Sequence, residues 1–164
     1  MKYLNDILLP ASIFKKEFSI DWLLEMSQRK ASLIIEILDE EQKKGHLEKT
    51  TAGSYRFRDK NFQSRLYRSI STEKKQLLHQ QAADIIFREL PDLAGVDHDL
   101  DDHLLELPND LNGCRQLVLA GDRCRKEFRF NKAHTYYLKA IKDLGKLEGE
   151  KTDLLLIDTT LHYL

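Results

Sequence analysis

Asp97-His98-Asp99-Leu100-Asp101-Asp102-His103 packs six possible metal-liganding side chains into seven residues, so cation binding is the first chemistry to weigh. Read as a calcium loop the run fails, because Asp102 stands where the sharp turn needs glycine and Pro108 where a bidentate Glu closes the site. Read as zinc it offers two histidines off the i, i+4 spacing of one helix face, with no cysteine beside them. Asp99 as a helix N-cap, with further acids in the first turn, accounts for the run without an ion. No metal is expected.

Catalysis finds no better footing. Serine, histidine and aspartate are present, but none stands in a nucleophile-elbow arrangement, and no Gly-Lys-Ser/Thr loop is available to cradle phosphates. His79 reads as a core or interface histidine, and Tyr136 and Tyr137 read as packing residues. The sequence therefore predicts a non-enzymatic chain without a cofactor.

Charge is the stronger signal. A net charge of -1 hides ten basic residues against three acids between Lys43 and Lys75, then eight acids and no Lys or Arg between Glu89 and Gly113. Arg56, Arg58, Lys60, Arg65 and Arg68 form the candidate interaction surface, facing something anionic. The acidic stretch is expected to dock on such a surface or to be solvated.

The elements that would position these residues are mostly helical. A first helix runs to about Phe14, with Pro10 kinking or beginning it. Ser19 caps a second helix, with Asp21 in its first turn and Trp22 and Leu23 turned inward. A third buries Leu33, Ile34, Ile37 and Leu38, keeps Ser32, Glu36, Asp39, Glu40 and Lys43 wet, and ends at Gly45. Glu41 is expected on that wet face as well. His46–Lys49 and Tyr55–Phe57 alternate like strands about the turn 50–54, giving a β-hairpin. Asp59 and Ser71 cap two further helices, the second stopped by Leu90-Pro91. Residues 71–111 form a helical connector whose later part holds one short helix near Asp101 to Leu107.

From residue 112 onward the spacing changes character. Cys114, Leu117, Gly121 and Cys124 recur at helical spacing, and Ala133 and Ala140 lie two turns apart with Tyr137 between them. Small residues there let helices approach closely. The stretch from 114 to about 147 resembles one tetratricopeptide repeat, with Gly121, Ala133, Tyr137 and Ala140 as its packing positions, Phe128 at the turn glycine and Gly145 near the closing proline. Cys114 and Cys124 sit too far apart on one helix to bridge, which suggests a reducing compartment. Lys15, Lys16 and Glu17 interrupt the apolar start where a signal peptide would need small residues, and no stretch is long enough to span a membrane, so a cytoplasmic location without membrane partners is expected.

Taken in order, Phe18-Ser19-Ile20-Asp21, Gly45-His46-Leu47, Tyr55-Arg56-Phe57-Arg58 and Leu77-Leu78-His79-Gln80-Gln81-Ala82-Ala83-Asp84, followed by the repeat-like helices, resemble a known region. It follows the nucleotide-binding domain in bacterial signal-transduction ATPases with numerous domains, a group that includes maltose-type transcription activators and ATPase-fused sensor kinases and cyclases. The resemblance implies a winged helix at 1–70 (three helices plus a β-hairpin), the connector at 71–111, and the start of a tetratricopeptide-like array at 112–164. It also implies a regulatory role in signal transduction or transcription regulation. The partners would be an upstream nucleotide-binding domain and downstream repeats of the same protein, with a protein or small inducer on the repeats. In that family a histidine after the hairpin senses the phosphates of ADP; here its position holds Asp59, whose charge would repel phosphate, and an N-cap role is favoured. Two rivals stand beside this reading: a DNA-binding winged helix using the wing, and a peptide-binding adaptor of tetratricopeptide type. DNA is the less favoured, because the third helix would present acids to the phosphates.

Overall fold

The computed structural model describes residues 4–51, 53–89 and 98–163. They are mostly helical, with one small three-stranded antiparallel sheet, and the chain divides into two compact units, Met1–Ile85 and Ile86–Leu164. The expected stop at Leu90-Pro91, the connector residues 92–97 and the side chains of His98 and Asp99 lie outside what is described.

Unit 1 begins with α1 (Leu4–Ser12), which ends before Phe14: Ile13 and Phe14 donate main-chain N–H to Pro10 and Ala11 in turn-like bonds. Pro10 lies inside the helix, and Ile7, Leu8 and Ala11 are fully buried. A short strand that the sequence did not suggest follows, β1 (Glu17–Ser19). The side chain of Ser19, in extended conformation, accepts from Asp21 N and starts α2 (Ile20–Ser27). Leu23 is buried in it, whereas Trp22 is only half-buried. In α3 (Ala31–Lys43) Ile34, Ile37 and Leu38 face the core, and Gly45, at φ +80, takes the left-handed turn that ends the helix.

β2 (Leu47–Thr51) and β3 (Ser54–Phe57) form the expected hairpin, but β3 is the middle strand, paired with β1 on its other side. Alternation along β3 sends Tyr55 and Phe57 into the core beside Phe18 and leaves Arg56 exposed. Asp59 accepts from Phe62 N at 2.9 Å and caps α4 (Lys60–Ser69), as expected. From α4 the buried Gln63 donates to the carbonyls of Ser12 and Phe14 at 3.2 and 2.7 Å, satisfying the open end of α1. The oxygen of Ser71 receives Lys74 N at the start of α5 (Thr72–Glu89), whose Leu78, Ala82 and Ile85 complete the core.

Glu41 departs from expectation. It is 1% exposed, because the last turn of α3 rotates it under His46, where it accepts from His46 and Lys44 at 2.7 Å each. Periodicity alone places position 41 on the wet face; the pairing is what makes its burial tolerable.

Unit 2 holds α6 (His98–Leu105), α7 (Leu111–Lys126), α8 (Phe130–Leu144) and α9 (Glu150–Tyr163). α6 starts earlier than expected, so Asp99 falls in its first turn and is not its N-cap. Two of the acids are paired within this unit: Asp101, 2% exposed, meets Arg123 at 2.6 Å and Asp102 meets Lys132 at 3.7 Å, while Glu106 and Asp110 are exposed. Asp110 caps α7 by accepting from Gly113 N. α7 and α8 run antiparallel, as nested contacts from Cys124–Arg129 through Asp122–Tyr137 to Asn109–Asp143 require. Buried Asp143 is the polar anchor, accepting from the main-chain N and side-chain amide of Asn109 and pairing with Lys139 and Lys146.

Candidate functional site

The cations of unit 1 converge through strand pairing. Opposite β3 Arg56 lie Glu17 of β1 and Glu48 of β2, a carboxylate–guanidinium–carboxylate row across the outer face of the sheet, with Arg56 and Glu48 in a direct ion pair. An open concavity of about 590 Å³ takes in this row and has Phe57, Arg58 and Lys60 in its lining. Lys15 and Lys16, from the turn after α1, line it as well. Five cations thus stand against two carboxylates. Lys60 is held in place, its ammonium donating to the Lys15 carbonyl at 3.2 Å and to Gln63 Oε1 at 3.1 Å.

Of the surface read from sequence, Arg56, Arg58 and Lys60 are brought together. Arg65 and Arg68 do not line this concavity; Arg65 stands over the Phe62 ring, 5.8 Å from its centroid. Lys15 and Lys16 were missed, since only the β1–β3 register places them beside residues forty positions further on. The one local signal, alternation across Glu17-Phe18-Ser19, is too short to stand out from the start of α2.

At the hairpin exit the main-chain N–H groups of Arg58 and Asp59 both donate to the His46 carbonyl, and the His46 ring stacks on Phe62 with centroids 3.9 Å apart. Burial pushes the Glu41 carboxyl up, but hydrogen bonds from Lys44 and His46 outweigh it and leave the group below its ordinary range. A carboxylate holding a histidine is half of a nucleophile-activating pair. Here it ties the end of α3 to the hairpin. Asp59 is also held below its ordinary range, chiefly by the Phe62 N–H, as suits a charged cap.

Of the four packing positions in unit 2, Gly121 and Tyr137 meet directly. A Cβ on Gly121 would stand 2.5 Å from a Tyr137 ring carbon, so the ring lies directly on the α7 backbone, and its hydroxyl donates to Asp122 at 2.5 Å. Ala133 and Ala140 are 3% and 0% exposed. Cys114 and Cys124 are buried free thiols; burial pushes Cys114 to about 11 and raises Cys124 as well, leaving both protonated and poor nucleophiles. Among the described residues no group of three or more His, Cys, Asp or Glu side chains is placed to hold a metal, and no helix is long and apolar enough to cross a membrane.

Comparison of the chain with family models, with curated proteins and with solved structures returns no match.

Proposed function

We propose that the chain is a non-catalytic regulatory part of a bacterial signal-transduction ATPase. Unit 1 is a winged helix that contacts the nucleotide-binding core of the same protein, and unit 2 begins a tetratricopeptide-like array that receives a partner or inducer. The order α1-β1-α2-α3-β2-β3 with β3 central supports the first part. The close Gly121–Tyr137 approach supports the second.

The observation that carries the reading is the separation of charge within unit 1. α3, the helix a DNA-reading winged helix places in the major groove, turns Ile35 and Glu36 outward, and the Asp39 and Glu40 beside them, expected wet, are half-buried, Asp39 accepting from the Tyr55 hydroxyl; the face is apolar and acidic and would repel phosphates. The cations line the concavity instead, interleaved with Glu17 and Glu48. Mixed charge around an apolar floor suits an acidic protein surface with its own basic residues better than a uniform phosphate backbone.

Anisotropy titrations of the chain against poly-glutamate and against duplex DNA of about two helical turns test this. Binding to poly-glutamate that Arg58→Glu/Lys60→Glu abolishes is expected, with duplex affinity no better than the non-specific range of about 10⁻⁴ to 10⁻⁶ M. A nanomolar, sequence-selective duplex complex would give the role to DNA. Micromolar ADP binding lost in Asp59→Ala would contradict the N-cap assignment.

A further inference from the structure

We infer that the α7–α8 turn of unit 2 is a binding site for a single-stranded nucleic acid segment, one unpaired base stacking on its phenylalanines and the adjoining phosphates meeting Arg129 and Lys132. Phe128 and Phe130 are 80% and 59% exposed, far more than large aromatics in a helical hairpin require. Their rings meet edge to face, centroids 6.1 Å apart at 81°, so no base fits between them, while their outer faces stay open. Together with Arg129, Asn131 and Lys132 they line a hollow of about 330 Å³, at the low end of ligand-pocket sizes and suited to one nucleotide.

The backbone adds a second observation. Phe128 sits at φ +60, in the left-handed region where glycine is at ease and a phenylalanine is strained. The turn is nonetheless firmly made, with Arg129 N donating to the Cys124 carbonyl at 2.8 Å. The left-handed turn ends α7 and in doing so holds the Phe128 ring outside the core, where it is open to a partner.

Charge then selects the partner. Residues 125–132 carry four cations, Arg125, Lys126, Arg129 and Lys132, against Glu127 and, from α6, the Asp102 carboxylate at Lys132; with those two pairs set aside, exposed Arg125 and Lys126 leave the turn an excess of two positive charges. Arg129, its Nε and Nη2 buried, pairs through Nη2 with the half-exposed Glu127, the partner a phosphate would replace. Lys132 lines the hollow while reaching Asp102 at 3.7 Å and lying over the Tyr136 ring. Asn131 offers a donor and an acceptor to a base edge. An anionic bilayer would also welcome phenylalanines flanked by cations, but a hollow with an amide in its wall matches a base better than acyl chains.

The test is fluorescence anisotropy of the full chain with labelled oligo(U) and oligo(dU) of about ten nucleotides, over about 50 to 200 mM salt. Phe128→Gly/Phe130→Ala removes both rings while relaxing the turn. It should weaken binding by about tenfold or more, as loss of base stacking does, and leave the salt slope unchanged. Arg129→Gln/Lys132→Gln should flatten that slope by about 1.4, the contribution of two phosphate contacts on a single strand. Arg58→Gln/Lys60→Gln, in unit 1, should change neither. A preference for oligo(U) over oligo(dU) would assign the strand as RNA through its 2′-hydroxyls, and the reverse preference as DNA. The inference falls if the phenylalanine variant binds like the original chain, if the unit 1 variant is the one that loses binding, if duplex competes equally, or if neither strand binds while vesicles containing phosphatidylserine do.

Discussion

Gly121→Ala probes the helical hairpin at its closest point. The new methyl would lie 2.5, 2.8 and 2.8 Å from Cε1, Cδ1 and Cζ of Tyr137, about 1 Å inside normal carbon contact. Tyr137 is 3% exposed and its hydroxyl is tied to Asp122, so the ring cannot swing out without giving up that hydrogen bond. Overpacking of this kind costs about 1 to 3 kcal/mol, and a weakened hydrogen bond to a partly exposed carboxylate adds about 1 kcal/mol. Alanine returns about 1 kcal/mol in helix propensity. The net destabilisation is about 1 to 3 kcal/mol, a fall in melting temperature of roughly 5 to 20 °C for a unit of this size. Circular dichroism at the helical minimum measures it, with Gly145→Ala as the control. Gly145 has helical φ -63, and its added Cβ comes no nearer than 3.4 Å to the Ile141 carbonyl, so that variant should melt within a few degrees of the original chain. In a Tyr137→Leu background the cost of Gly121→Ala should largely vanish, since the two sites are coupled through one contact. If Gly121→Ala melts at or above the original chain, or costs the same without the Tyr137 ring, the packing derived for α7 and α8 is wrong.

Phe128→Gly should raise stability by about 1 kcal/mol by relieving the left-handed backbone, seen as a higher urea midpoint with unchanged slope. Ala140→Leu should melt well below Lys142→Leu, since Ala140 is 0% exposed and Lys142 lies on the surface. Burial, with Lys15 and Lys75 adding to it, lowers His79 to about 4, so the folded chain keeps it neutral while the unfolded chain protonates it near 6.5. That contribution is complete above about pH 6.5 and is lost as pH falls towards 4, by up to about 3 kcal/mol; urea titrations across this window should show a slope that His79→Gln reduces. Glu41 is held below its ordinary range, so its contribution is present above about pH 4.5 and lost as pH falls through the lower folded value. Glu41→Gln should cost about 1 kcal/mol at neutral pH, the low end for charge-assisted bonds because Lys44 is half exposed, and nearly nothing in strong acid.

Local signals carried most of the helices. Ser19, Asp59 and Ser71 each bond a backbone N–H within three residues, so a cap is legible from its own neighbourhood. The same holds for Gly121 and Ala140, whose small size is meaningful only if something packs on them. What escaped was whatever depends on a partner distant in sequence. β1 is three residues long and exists because β3 pairs with it, and Lys15 and Lys16 join the concavity only through that pairing. Glu41 looked solvent-facing by period and is buried because His46 and Lys44 satisfy it. Asp101 and Asp102 of α6 belonged to a stretch expected to dock on a basic surface or to be solvated, and they are paired with Arg123 and Lys132.

Those pairings also change what net charge means along the chain. The basic excess between Lys43 and Lys75 overstates the surface, because Lys44 pairs with Glu41, Arg56 with Glu48, and Arg65 covers a ring. The acidic excess after Glu89 overstates its repulsion likewise, since Asp101 and Asp102 face cations of their own unit. A charge run predicts a partner only after its internal pairs are removed. By that measure Arg58 and Lys60 are the cations of the stretch that line the concavity outside any of these pairs, and reversing them should alter anion binding far more than reversing Arg65 and Arg68. Equal losses from the two pairs in the poly-glutamate titration would mean that the overall charge of the stretch, and not the concavity, governs binding.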